Sequence, residues 1–331
     1  MNNVQSIYTP YINEFISFKR ALGFKYIEEE RILHRFDVFI MKNNITEIGI
    51  TKDLFEKWRD SIPDESDNYK YARCVCVNQL SIYLSDIEIP SYVSRLPRRR
   101  STFIPYVFSK QEIDILFKTS DQLETNQRRM DSVIFSIPIL LRFLYGTGLR
   151  ISEALSLNNE DVNLSDDFLV VRDSKSRKER SVPLSDSLSK ACKEYLLYKK
   201  KLPIIILPES PFFVSLNGSR YTQSETYQWF REILRLSKIP FTGNVHDHRG
   251  PRIHDLRHTM ACHALVQMTE NGMDLYCSLP ILSAFLGHQS IKATDLYVRL
   301  TAEMYLDLIH KMDMECLTVF PKIEYEANGF F

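Results

Sequence analysis

Residues 146–157, GTGLRISEALSL, close one helical pattern and open another. An apolar run over about 131–145 ends at Gly146-Thr147-Gly148, where glycines free the backbone to turn sharply. A new helix is predicted to begin near Arg150. Unpaired N–H groups at a helix start favour an anion, and a guanidinium there adds a planar fork matched to phosphate oxygens. Taken alone, an arginine at a helix start is more often a solvent-facing charge.

On the C-terminal side, Phe168–Arg172 and Glu179–Leu184 read as two strands joined by the polar segment DSKSRK, a β-hairpin with Lys175 at its tip. Helical patterns follow at about 186–200, 222–237, 253–269, 278–286 and 301–311. On the N-terminal side, Ser109 with Glu112 three residues on is a capping box that opens a helix. Further upstream, Pro90, Pro97 and Pro105 bracket the basic run Arg95, Arg98, Arg99 and Arg100. Proline breaks helices, so an interdomain linker is predicted over 95–105. Before it, residues 7–88 carry four helical patterns; in the first, Ile7, Tyr11, Ile12, Phe15, Ile16 and Leu22 share one face. The fold predicted is mainly α with a small β-hairpin or sheet: a helical domain over 1–94 and an α-rich domain over 106–331.

Composition bounds the function. The chain has 331 residues and 44% hydrophobic content, enough for two packed cores. Its 42 basic and 42 acidic residues cancel, a mild argument against DNA binding, though a balanced total can hide a basic face. The arginine run is either a solvated linker or a local phosphate contact. The six cysteines form no CxxC pair, the first residues lack a secretory signal, and no apolar stretch reaches the ~18–20 residues needed to span a membrane. Reduced thiols in a cytoplasmic protein without membrane attachment are expected.

Five of the eight histidines lie between His246 and His263. His254, His258 and Cys262, at i, i+4 and i+8, share one side of a helix and invite a zinc reading. Against it, HDLRH lacks the glutamate that HExxH uses as its base, with the shorter Asp255 in that place, and Arg257 is a poor neighbour for a dication. The blander reading packs His258 and His263 into the core. A better grouping pairs His254 with Arg257, at i and i+3, both able to reach one phosphate. Further on, Leu286-Gly287-His288 ends a helix, and Tyr297 follows nine residues after His288. A tyrosine in TDLYVRL is, alone, a packing residue.

The joint pattern is far more specific than its parts. GTGLRISEALSL, a hairpin lysine, HDLRH, LGH and the terminal Tyr297, in that order, resemble the signature boxes of the tyrosine recombinase, or phage integrase, family over about 109–311. The N-terminal helices resemble its SAM-like core-binding domain more loosely. The resemblance implies a site-specific DNA recombinase that cleaves and rejoins strands through a 3′-phosphotyrosine. Tyr297 would be the nucleophile, Arg150 and Arg257 the clamp on the non-bridging oxygens, and His288 a further donor to the phosphate. His254 would assist proton transfer near the tyrosine, Lys175 would protonate the leaving 5′ oxygen, and Glu153 would support the site. Where the family's hairpin carries Gly-Lys-Gly, this one reads Ser174-Lys175-Ser176, with Arg177 and Lys178 close by as further DNA contacts.

Phenols with a pKa near ~10 are poor nucleophiles, and alkoxides poor leaving groups, so the reaction needs cations on the phosphate and a general acid. The arginine clamp stands where a metal would, and neither a Walker loop nor a Mg²⁺-binding acidic motif is found, so no cofactor or metal is expected. The implied partners are double-stranded DNA and three further copies of the chain on two DNA sites, with room for accessory or partner recombinases. Integration, excision or transposition of a mobile element is the expected role. A type IB-like topoisomerase and an inactive DNA-binding accessory protein are the alternatives. The tail TVFPKIEYEANGFF either folds over its own domain or docks onto a neighbour.

Overall fold

In the computed structural model, residues 6–96, 104–124, 132–172, 179–239, 250–288, 290, 294, 296–298 and 300–301 are described. The chain divides into two compact units, Met1–Thr102 and Phe103–Phe331.

The first unit holds four helices: α1 (Thr9–Ala21), α2 (Ile27–Lys42), α3 (Lys52–Arg59) and α4 (Asp67–Asp86). Thr51 and Ser66 cap α3 and α4 by accepting from the N–H groups of Leu54 and Tyr69, so two helix starts are fixed by side chains adjoining them. The inward faces interleave Phe15, Phe36, Phe55 and Trp58 with aliphatic side chains of α4. One cation sits within this core. Arg73 has 0% exposure, pairs with Glu65, donates from Nη1 to the Trp58 carbonyl at 3.0 Å and stacks its guanidinium 4.4 Å from the Trp58 ring.

The second unit starts with α5 (Lys110–Asp121), whose Ser109/Glu112 capping box forms in both directions, at 3.2 Å and 2.7 Å. The apolar run does not become helical at its beginning. α6 is Ile137–Thr147, opened by Pro138, whose fixed φ suits a first helical turn, after a turn at 134–136. Then come α7 (Ile151–Ser156), a 3₁₀ turn at Asn159–Asp161, and the strands β1 (Val162–Asn163), β2 (Phe168–Val171) and β3 (Arg180–Pro183). The predicted hairpin is antiparallel with Leu169 facing Val182 and Val171 facing Arg180, and it is one strand larger than expected. β1 is only two residues long, too short to leave an alternating pattern. The unit continues with α8 (Asp186–Lys199), α9 (Gln223–Leu236), α10 (Asp255–Glu270) and α11 (Leu275–Leu286). The helix predicted at 301–311 lies, beyond residue 301, outside the described residues.

α6 is the centre of this unit. It is buried on almost every side and packs against α5, α8 and α10, while α10 also packs on α11. That arrangement delivers the end of α6, the start of α10 and the end of α11 to one place. Among the described residues, no helix is long and apolar enough to cross a membrane.

The buried pair in the first unit gives a stability test. Glu65→Ala leaves the Arg73 cation in the core without its carboxylate, and is expected to lower the unit's unfolding free energy by about 3–5 kcal/mol in urea titration. A change below about 1 kcal/mol would show that the backbone carbonyls and Trp58 suffice for Arg73.

Candidate active site

Arg257 organises the place where those helix ends meet. It lies in the first turn of α10 at 2% exposure, so its charge must be matched from within the protein. Nη1 donates to the Gly148 carbonyl at 2.6 Å and Nη2 to the Leu286 carbonyl at 2.8 Å. One guanidinium thus ties the turn after α6 to the end of α11. Gly148 has φ +60°, and a Cβ there would come 2.1 Å from Met260 Cε and 2.9 Å from Leu286 Cδ2. Both backbone conformation and space therefore require glycine in the first box. Burial pushes the Arg257 pKa down to about 10, which leaves it charged at neutral pH.

Tyr297 lies against this arginine. It is 2% exposed, at a helical position beyond α11, and packs with Met260, Leu282 and Leu286. Burial pushes its phenol above the ordinary range, and the charge and hydrogen bond of Arg257 pull it part of the way back. The hydroxyl is 3.2 Å from His258 Nδ1, a hydrogen bond in which the phenol donates when His258 carries its proton on Nε2. His288 stacks on the Tyr297 ring, with centroids 6.0 Å apart and planes 14° from parallel, and its Nδ1 pairs with Thr294 Oγ1 at 2.8 Å. The His254 ring meets His258 edge-to-face at 4.9 Å.

The three imidazoles are held neutral. Burial, reinforced by nearby arginines, pushes His254 down to about 4, His258 to about 3 and His288 to about 4. Each can accept a hydrogen bond at neutral pH, and a nearby anion would raise the pKa of all three.

Arg150 is the residue before α7. Its backbone N–H donates to Glu153 Oε2 at 3.0 Å and its Nη1 to Glu153 Oε1 at 2.8 Å. Glu153 is 2% exposed; burial alone would raise its pKa, but hydrogen bonds from Arg180 and Arg150 hold it below the ordinary carboxylate range. Arg180 Nη2 reaches Glu153 Oε2 at 2.8 Å.

Of the residues singled out from sequence, Arg150, His254, Arg257, His288 and Tyr297 converge here. Arg95 is exposed on the first unit. Lys175, Arg98, Arg99, Arg100, Arg177 and Lys178 lie outside the described residues, as do His246 and His248. Two residues of the pocket, His258 and Arg180, fall outside the catalytic set expected from sequence. His258, read as packing, touches the tyrosine hydroxyl; its i+4 spacing from His254 was a signal, spent on the zinc reading. Arg180 shares a strand face with the buried Val182 and Leu184, and a charge on an inward face should have drawn notice. Cys262 is buried in the core, and no group of three or more metal-ligating side chains occurs among the described residues.

Comparison with known proteins identifies the family and the fold. The sequence pattern of the Phage integrase family matches residues 107–304. The chain is 27% identical over 311 residues to y4rB of Sinorhizobium fredii, which carries an integrase/recombinase name, covering 93% of this chain and 98% of that one. It is 29% identical over 210 residues to the tyrosine recombinase XerC of Chlamydia caviae, covering 63% of this chain and 58% of that one. Among solved structures, the XerH site-specific recombinase bound to palindromic difH substrate in a post-cleavage complex shares the fold. Its TM-score is 0.63 at 18% identity, covering 89% of this chain and 82% of that one.

The depressed histidines make stability depend on pH. Unfolded, each titrates near 6.5; folded, near 3 to 4. Between those values the unfolded chain binds more protons, so stability is full above about pH 6.5 and is lost as the pH falls towards 4. Asp255, raised to about 6 by burial, works in the opposite sense, but with one proton against three. The melting temperature of the second unit, assigned by hydrogen exchange of α10, is expected to fall steadily from pH 6.5 to 4.5. A flat or rising profile would contradict the neutral-histidine pocket.

Proposed function

The chain belongs to the phage integrase family and is a tyrosine-type site-specific recombinase, and on that premise we propose how its residues divide the work. Tyr297 is the nucleophile. Its Oη forms a bond to the scissile phosphorus while the bond from phosphorus to the 5′ oxygen breaks, leaving the protein joined to a 3′ phosphate. Arg150 and Arg257 hold the non-bridging oxygens as charge grows on them, and His288 adds a donor. His258, in contact with the hydroxyl, takes the phenol proton, with His254 edge-on behind it to relay. A phosphate anion between the arginines raises the basicity of both imidazoles at the moment it is needed. Lys175 protonates the departing 5′ oxygen, with Arg177 and Lys178 gripping the adjacent backbone. Attack by a new 5′ hydroxyl reverses the steps and restores Tyr297, so the phosphoester energy is conserved and neither ATP nor a metal is required.

The observation that carries this reading is the buried Arg257 beside a tyrosine whose hydroxyl is already paired with a neutral histidine. A merely structural tyrosine has no use for a buried cation and three desolvated imidazoles around it. The substrate is double-stranded DNA, in keeping with the XerH site-specific recombinase bound to its palindromic difH substrate. The first unit, with Arg95 and the run Arg98–Arg100, supplies further contacts to the duplex backbone. Exchange between two sites calls for four protomers, and the biological role is integration, excision or transposition of a mobile element.

The test is a nicked suicide duplex that traps the covalent state. Wild type is expected to give a denaturation-resistant protein–DNA adduct that EDTA does not reduce. Tyr297→Phe should lower adduct yield by at least ~10³-fold with DNA affinity within about threefold, since one hydroxyl is lost and the cations remain. An adduct in Tyr297→Phe would remove Tyr297 as nucleophile, and loss of DNA binding would make it a packing residue.

A further inference from the structure

The family signature places two arginines on the phosphate, but the pocket contains three. We propose that Arg180 is a positioning residue that neutralises Glu153 and so leaves Arg150 with an uncancelled positive charge for the scissile phosphate. The inference rests on the reading that this pocket binds that phosphate.

Glu153 sets the charge balance of the pocket. Its carboxylate is buried beside Arg150, and alone with it would form a neutral pair. A neutral pair attracts an arriving phosphate only weakly, because the carboxylate repels the anion about as much as the guanidinium draws it. Arg180 changes the sum. Its Nη1 and Nη2 lie 3.3 Å and 2.8 Å from the two Glu153 oxygens, while Arg150 holds Oε1 at 2.8 Å. Two cations now share one anion. Counting Arg257, the pocket carries three positive charges and one negative, a net of +2, which suits a phosphorane that gains a second negative charge. Without Arg180 the net is +1.

Geometry shows that Arg180 is built into the pocket. It projects from β3 on the face of Val182, with a side chain only 11% exposed, and its Nε finds no partner among the described residues. Gly287 makes room for it: with φ +67°, a Cβ there would come 2.8 Å from Nη1 and 2.9 Å from Cζ. The second glycine box therefore has a physical reason. The Leu286-Gly287-His288 segment runs between two guanidiniums, Arg257 on the Leu286 carbonyl and Arg180 against Gly287. Arg180 also helps to depress the protonation of both His288 and Arg257, as a charge within the same pocket must.

A salt bridge that only holds the fold would look similar, so the test must depend on charge at phosphorus. Adduct formation is measured on a suicide duplex with either the natural phosphodiester or a methylphosphonate at the scissile position, which removes one negative charge from the transition state. On the phosphodiester, Arg180→Gln is expected to slow adduct formation about 10- to 100-fold, somewhat less than loss of a direct transition-state donor. Arg180→Lys, which keeps the charge, should lose less. On the methylphosphonate the gap between wild type and Arg180→Gln should shrink to within about threefold, and adding Glu153→Gln to Arg180→Gln should restore part of the phosphodiester rate. Equal losses on both substrates, or a double variant worse than either single, would overturn the charge-balancing role. If Arg180→Gln does not fold, Arg180→Lys carries the comparison: rates as low as for an unfolded protein from a folded Arg180→Lys would also overturn it. If wild type forms no adduct on the phosphodiester, the phosphate reading of the pocket fails instead.

Discussion

A guanidinium buried to 2% exposure is expensive unless every side of it meets a partner, and Arg257 constrains the catalytic unit through that requirement. Its fork needs two carbonyls at fixed separation, and Gly148 and Leu286 supply them. The turn after α6 must then be glycine, because a Cβ at Gly148 would occupy the place of Met260. The end of α11 must lie against α10, which brings His288 beside the Tyr297 ring. The first and last boxes of the sequence, 138 residues apart between Arg150 and His288, are neighbours because one side chain bonds to the backbone of both.

The same constraint sets the electrostatics. With arginines fixed in a poorly solvated pocket, further positive charge is resisted, so the surrounding imidazoles are neutral. The phenol of Tyr297 stays protonated for the same reason of burial, tempered by Arg257. Guanidiniums, neutral histidines and a protonated phenol thus line one poorly solvated pocket.

Much of this was legible from the residues. Helix starts could be read where a side chain caps them, as Ser109 with Glu112 does, and strands where alternation is strong, as along Leu169–Val171 and Val182. The order of the boxes picks out which arginines, histidines and tyrosine belong together, and Arg150, His254, Arg257, His288 and Tyr297 do converge. What escaped was set by contacts between distant segments. His258 could not be separated from a packing histidine until Tyr297 was placed over it. Arg180 gains a role only from its partner Glu153, 27 residues away in sequence, together with the missing Cβ of Gly287. β1 was too short to carry a pattern, and the start of α6 was decided by Pro138 rather than by apolar periodicity.

The central claim is that the chain breaks DNA by joining Tyr297 to a phosphate held beside Arg257. Digesting the trapped adduct with protease and nuclease, then sequencing the nucleotide-bearing peptide by mass spectrometry, tests it most directly. The account predicts a single modified peptide, with the residual nucleotide linked through its 3′ phosphate to the Tyr297 oxygen. Modification at any other residue, or a linkage to a 5′ phosphate, would contradict it.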